Sequence, residues 1–235
     1  MMKQGTLSTV AVVPAAGFGV RMGSKRAKQF LDLDGRPVLA VTLRLFQDFG
    51  DVDAIVLVVP SEDVDFCREH IVAEFSLSKV ERVVPGGERR QDSVRLGLDA
   101  TDGRYDLVLI HDGVRPMIDE ALLKRVMAAA IHHRAVITAL PSKETVKEVD
   151  DQGKVVRTCD RRHLWMVQTP QAFRYADIHK AHHMAVTEGW EEATDDAFLV
   201  EKLGIPVTVV EGSERNIKVT TPHDLELARF LLRAP

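Results

Sequence analysis

Residues 10–30, VAVVPAAGFGVRMGSKRAKQF, join an apolar run to a loop holding three glycines and four basic side chains. A segment apolar at every position, as Val10–Val13 is, suits a strand covered on both faces of its sheet. Glycines directly after such a strand let backbone N–H groups approach phosphate oxygens, and a following helix start adds a dipole that favours anions. Ligands of open α/β sheets bind beyond the carboxyl ends of the strands, which is where this loop lies. It displays Arg21, Lys25, Arg26 and Lys28 in a chain whose net charge is −4. The cations are therefore a local concentration suited to a small anionic ligand, not the overall field that attracts nucleic acid. The spacing is not that of a P-loop, and Gly23 falls one residue too late for the dinucleotide fingerprint begun by Gly17 and Gly19.

Outward from this stretch, short apolar runs at 54–60, 80–85, 106–112, 135–141 and 206–212 alternate with helical patterns at 37–49, 61–75, 91–100 and 119–134. That alternation predicts an α/β fold, a Rossmann-like mostly parallel sheet with helices on both faces. Asp119 and Glu120 mark a helix start, and Thr220 or Thr221 followed by Pro222 marks the start of a closing helix. Residues 143–165 break the rhythm. They read as two polar, β-branched strands joined by Asp-Gln-Gly, a projecting β-hairpin arm, with an antiparallel edge of the main sheet as the alternative. The expected organisation is a single domain over 1–235, with an arm at about 141–165 and no fused partner domain. Two cysteines, no signal-peptide pattern and no membrane-length apolar run point to the cytoplasm.

Several residues carry chemistry of their own. Arg21 and Lys28 can stabilise charge at a triphosphate. Asp112 ends an apolar strand and can hold Mg²⁺, a hard cation that prefers oxygen ligands, while Arg115 can grip a phosphate bidentately or brace the turn. Gly86 and Gly87 precede a helix start, and their N–H groups can read a pyrimidine edge. Arg89 and Arg90 are equally readable as functional or solvated, and His111 as structural. Thr194 suits the N-cap of a helix over 195–204. His179, His182 and His183 share helical spacing, but no Cys or His cluster nearby completes a zinc site, so a partly exposed helix face is expected. Cys67 reads as core and Cys159 as packing.

The loop at 14–30, with 86-GGERRQDSV-94, 111-HDGVRP-116, 168-QTPQAF-173 and 216-NIKVT-220, resembles the 2-C-methyl-D-erythritol 4-phosphate cytidylyltransferases, a nucleotidyltransferase family of the non-mevalonate isoprenoid pathway. The resemblance covers nearly the whole chain. It implies CTP as donor, Mg²⁺ as cofactor, and a homodimer made by exchange of the arm. It implies that Arg21 and Lys28 stabilise the transition state, and that Pro14, Ala15, Ala16, Gly17, Gly86, Gly87, Ser93 and Asp112 form the CTP subsite. Arg115, Thr145, Arg161, Thr169, Thr194 and Lys218 are implied for the acceptor phosphate, with Arg161 acting across the dimer. Two departures from the family pattern, Ala27 before Lys28 and Gly113-Val114 after Asp112, keep the charged residues; Gly113 is expected to loosen its turn. The implied reaction is attack by the acceptor's phosphate oxygen on the α-phosphorus of CTP, giving a CDP-alcohol and pyrophosphate. Ribitol 5-phosphate is an alternative acceptor for this fold. A non-catalytic nucleotide-binding regulator is a further alternative, which should lack a loop cation or the strand-end Asp.

Overall fold

Every residue of the strand Thr9–Pro14 is buried, and its side chains alternate between two cores, Ala11 and Val13 facing one and Val10 and Val12 the other. This two-sided burial is why the run is continuously apolar. The computed structural model describes residues 7–17, 27–190 and 193–233; Arg21, Lys25 and Arg26 lie outside them. The elements are β1 (Thr9–Pro14), β2 (Asp32–Leu33), β3 (Arg36–Pro37), α1 (Val38–Asp48), β4 (Ala54–Val59), α2 (Val64–Cys67), β5 (Val80–Pro85), α3 (Arg90–Asp99), β6 (Leu107–Ile110), α4 (Glu120–His132), β7 (Ala135–Pro141), β8 (Lys147–Val149), β9 (Val155–Thr158), β10 (Trp165–Arg174), α5 (Tyr175–Thr187), α6 (Asp196–Lys202), β11 (Val207–Glu211) and α7 (Pro222–Arg233).

The main sheet has seven strands in the order β11-β7-β10-β6-β1-β4-β5. All neighbours are parallel except β10, which runs antiparallel to both β6 and β7. One core holds the inner faces of α1 and α4, and the other those of α3, α5 and α6, so helices cover both faces. The loops after β1, β5 and β6 leave the sheet at the carboxyl ends of strands, where the alternation of elements predicted a site.

Two elements depart from the sequence reading, and a third bears it out. Residues 61–75 form a short 3₁₀ turn, α2 and a π-helical turn over Arg68–Ala73, not one helix. Strand β10 has no alternating pattern and carries Pro170 in its middle, which argues against a central strand. The register of β10 against β7 shifts between Gln168 and Gln171, so the proline sits where the ladder is already interrupted, and Thr169 belongs to this strand. The hairpin arm is real: β8 and β9 pair as a separate two-stranded sheet, closed by a turn in which Asp150 Oδ1 accepts from the N–H groups of Gln152 and Lys154. Every residue of β8 and β9 is exposed.

The caps follow the expected chemistry, with one exception. Asp119 accepts from the Leu122 N–H, and Thr221 Oγ1 from the Asp224 N–H, with Pro222 opening α7. Helix α6, however, is capped by Asp195, which accepts from the Phe198 N–H at 3.0 Å, and not by Thr194. Of the three histidines on α5, His179 and His183 are partly exposed but His182 is fully buried. Cys67 is buried and Cys159 half-buried, both unpaired. Among the described residues, no helix is long and apolar enough to cross a membrane.

Candidate active site

The site is assembled by loops that hold one another. The Ala15 N–H donates to Val58 O at 2.7 Å and Gln29 Nε2 to Ala15 O at 2.8 Å, so the start of the first loop and its return at Lys28 are tied together. Beside it, the Gly86 N–H donates to Val59 O at 2.8 Å and the Gly87 N–H to Ser93 Oγ at 3.1 Å. Both amide groups are thus committed internally, and the expectation that they read a pyrimidine edge is not met. Close packing explains Gly86 instead. A Cβ there would stand 2.4 Å from Ala16 Cβ and 2.8 Å from Ser93 Oγ, so only glycine lets the β1 and β5 loops meet the start of α3. Gly113 is also a close-approach residue: its Cβ would lie 2.9 Å from Ala15 Cβ, and its N–H donates to Pro14 O at 3.0 Å. The turn after Asp112 is held and not loosened.

Two clefts open from this frame. The first is lined by Pro14, Ala15, Ala16, Gly17, Lys28, Gly87, Ser93 and Asp112, together with Arg90 and Lys218. The second is lined by Arg115, Gln168, Thr169, Thr194 and Phe198, again with Arg90, Asp112 and Lys218. Three charged side chains therefore form a wall common to both. Asp112, 6% exposed, stands at its centre. Its Oδ1 accepts from Arg90 Nε at 3.0 Å, and its Oδ2 lies 2.8 Å from Lys218 Nζ and 3.7 Å from Arg115 Nε. Burial alone would raise the carboxyl's pKa, but the charges of Arg90, Lys218 and Arg115 outweigh it and hold Asp112 ionised, well below the usual carboxylate range.

The segments 111–116, 168–173 and 216–220 supply the struts of this wall. Thr169 Oγ1 accepts from the Asp112 N–H at 3.1 Å and lies 3.2 Å from His111 Nδ1, while His111 Nε2 meets Arg115 O at 3.1 Å. Burial pushes the His111 pKa down to about 4, so the ring is a neutral brace, as the sequence reading held. Asn216 Nδ2 donates to Thr169 O at 2.7 Å, the Val219 N–H to Val114 O at 2.9 Å, and Gln168 Nε2 to Ser213 O at 3.0 Å. These bonds fix the loop that carries Lys218. Arg115 Nη1 donates to Asn216 O at 2.9 Å, so one prong of its expected two-pronged phosphate grip is already occupied by the turn-bracing role.

The largest omission from the sequence reading lies behind Arg90. Its Nη2 is 2.8 Å from Asp196 Oδ2, and Asp196 Oδ1 is 3.1 Å from His182 Nε2, with both Asp196 and His182 fully buried. Arg90 is thus held between two carboxylates, Asp112 in the clefts and Asp196 beneath. Arg89, which also lines the first cleft, pairs instead with Asp92 at 2.8 Å. The signal available in the sequence was the pair Asp195-Asp196, read only as a helix start; nothing local says that the second carboxylate turns inward.

Thr145 and Arg161 line neither cleft. Both are exposed on the arm, and Arg161 Nη1 donates to Lys143 O at 2.6 Å. Exposed apolar side chains surround them in the sequence: Val149, Val155 and Val156 on the hairpin, Trp165, Met166 and Val167 on the first half of β10.

A sequence model of the 2-C-methyl-D-erythritol 4-phosphate cytidylyltransferase family matches residues 9–234. The protein of that name from Geobacter metallireducens is 46% identical over 230 residues, covering 97% of this chain and 98% of its own. The one from Syntrophus aciditrophicus is 48% identical over 224 residues, covering 95% of each. Among solved structures, the 4-diphosphocytidyl-2C-methyl-D-erythritol synthase of Anaerococcus prevotii superposes with a TM-score of 0.85 at 34% identity, covering 97% of both chains.

Proposed function

The chain belongs to the 2-C-methyl-D-erythritol 4-phosphate cytidylyltransferase family and transfers a cytidylyl group from CTP to methylerythritol phosphate in isoprenoid-precursor biosynthesis; on that premise we propose how its residues divide the reaction. CTP occupies the first cleft, with its triphosphate toward Lys28 and the loop that carries Arg21. The acceptor phosphate occupies the second, toward Arg115, Thr169 and Thr194. The observation that carries this reading is the shared wall: Lys218 and Asp112 border both clefts, so the two reacting phosphates meet there. The acceptor's phosphate oxygen attacks the α-phosphorus, a P–O bond forms, and the bond to the β-phosphate's bridging oxygen breaks as pyrophosphate leaves. The nucleophile is already an anion, so no covalent enzyme intermediate is required. Catalysis is positioning and neutralisation of charge by Lys28, Lys218 and Arg21.

Asp112 fits a divalent cation in one respect that matters: it is ionised, and it stands where a triphosphate would supply the remaining oxygen ligands. Held there, Mg²⁺ would offset the triphosphate's charge. Turnover should therefore vanish in excess EDTA and return with added Mg²⁺; full activity without a divalent ion would remove Asp112 from this role.

The second subunit supplies what each protomer's clefts lack. Thr145 and Arg161 sit on an arm with no buried face, beside the apolar side chains of β8, β9 and β10, and a C2 homodimer would cover that surface and carry Arg161 to the neighbouring acceptor phosphate. A cytoplasmic enzyme suits its two unpaired cysteines. The test is complementation. Heterodimers of a Lys28→Ala chain and an Arg161→Ala chain should regain one working site, built from the intact loop of one and the intact arm of the other. Verified heterodimers that stay inactive would assign the arm to its own subunit. Offering ribitol 5-phosphate beside methylerythritol phosphate in the same assay tests the choice of acceptor.

A further inference from the structure

Away from both clefts, the last residue of α3 meets two histidines of α5. Asp99 Oδ1 lies 3.3 Å from His179 Nε2 and 2.8 Å from His183 Nε2. The histidines are one helical turn apart, with ring centroids separated by 4.3 Å, so both imidazoles aim the same nitrogen at one carboxylate oxygen. We propose that Asp99, His179 and His183 form a Zn²⁺ site that clasps α3 to α5.

The geometry is close to what a tetrahedral ion needs. Zinc bonds of about 2.0–2.1 Å set neighbouring ligand atoms roughly 3.4 Å apart, and these three ligand atoms all lie within 4.8 Å of one another. Small side-chain rotations span the difference. The ligands are also held from behind. Arg95 Nη1 pairs with the other carboxylate oxygen, Asp99 Oδ2, at 3.3 Å, which turns Oδ1 toward the histidines. The Tyr175 ring stacks on His179 with centroids 5.2 Å apart and planes 26° from parallel. The side chains of Asp99, His179 and His183 are 35%, 36% and 46% exposed, so the open side of the cluster can supply a water as fourth ligand.

The donor set selects the ion. Two imidazoles and one carboxylate suit Zn²⁺ and are poor for Mg²⁺, which keeps to oxygen. A carboxylate at the C-terminal end of a helix opposes the macrodipole, and a bound cation relieves that repulsion. The role is structural and not catalytic, because Asp99 stands at the opposite end of α3 from Arg90. At 1.5 Å per residue that is roughly 13 Å of helix. No spacing in the sequence shows this site: the pair of histidines lacks a third ligand until the fold brings Asp99 to it from 80 residues earlier in the chain.

The test is equilibrium dialysis of the full-length enzyme, freed of metal, against Zn²⁺ in a buffer containing excess Mg²⁺. One Zn²⁺ per chain is expected, together with a rise in thermal midpoint on binding. Asp99→Asn and His183→Ala should each weaken binding at least tenfold and remove the thermal shift, while His132→Ala leaves both intact. All three variants should keep normal cytidylyl transfer in Mg²⁺ alone, which verifies their folding. Failure to bind stoichiometric Zn²⁺, or binding that survives a His179→Ala/His183→Ala double substitution, would overturn the proposal.

Discussion

Replacing Asp196 by alanine is the sharpest probe of the wall between the two clefts. Asp196 is 1% exposed, and its removal leaves Arg90 with one carboxylate partner, Asp112, and His182 with none for its Nε2. Removing one member of a buried ion pair costs about 3–5 kcal/mol, because the remaining charge stays desolvated. Thermal midpoints of proteins this size fall by about 2–4 °C per kcal/mol, so the loss should be on the order of 6–20 °C. Urea titration reports the same change as a lowered midpoint concentration at unchanged slope. The loss belongs to burial of charge, so the double substitution Asp196→Leu/Arg90→Met should regain much of the stability while turnover stays depressed, since the wall has lost Arg90. Differential scanning calorimetry and steady-state kinetics on the two variants separate the effects. A cost under about 1 kcal/mol for Asp196→Ala would mean that Arg90 is solvated and that Asp196 does not hold it; a double variant with normal turnover would remove Arg90 from the site.

Lys218→Ala removes the cation common to both clefts and should lower kcat by about 10²–10³, as loss of a charge-stabilising group does, with a smaller change in thermal midpoint; unaltered kcat would refute its place at the reacting phosphates. His111 yields a pH prediction. The unfolded side chain takes up its proton near 6.5 and the buried one only near 4, so between those values the unfolded chain binds more protons. Its contribution is complete above pH 6.5 and is lost as pH falls toward 4, up to about 3 kcal/mol. Chemical denaturation across that range should show the decline, and a His111→Gln variant should show a shallower one.

The strand-and-helix alternation made the sheet legible, because β1, β4 and β6 are buried on both faces and their sequences are apolar at nearly every position. The arm was legible as well: the Asp-Gln-Gly turn and the β-branched, mostly polar strands at 143–165 are local features that do not depend on the rest of the chain. Strand β10 was not. Its proline and its run of polar residues contradict strand propensity, and only its neighbours β6 and β7, with a break in register, make it a central strand. In the site, Lys28, Asp112, Arg115, Thr169, Thr194 and Lys218 were named from local chemistry and from resemblance, and the fold gathers them around two adjoining clefts. The N–H groups of Gly86 and Gly87 were assigned to the base because a glycine-rich turn leaves amides free in the abstract; whether they are free depends on Val59 and Ser93, which contact them in space.

Local pattern thus determined the strands buried on both faces, most of the helices and the charged residues at strand ends, since periodicity and side-chain chemistry are properties of the chain itself. Which carboxylates lie buried against which cations was decided only by tertiary structure. Asp112 and Asp196 are 84 residues apart in the sequence and acquire their roles only by sharing Arg90 while both carboxylates are buried. The strength of that pairing depends on separation and burial, and neither is written in the order of the residues.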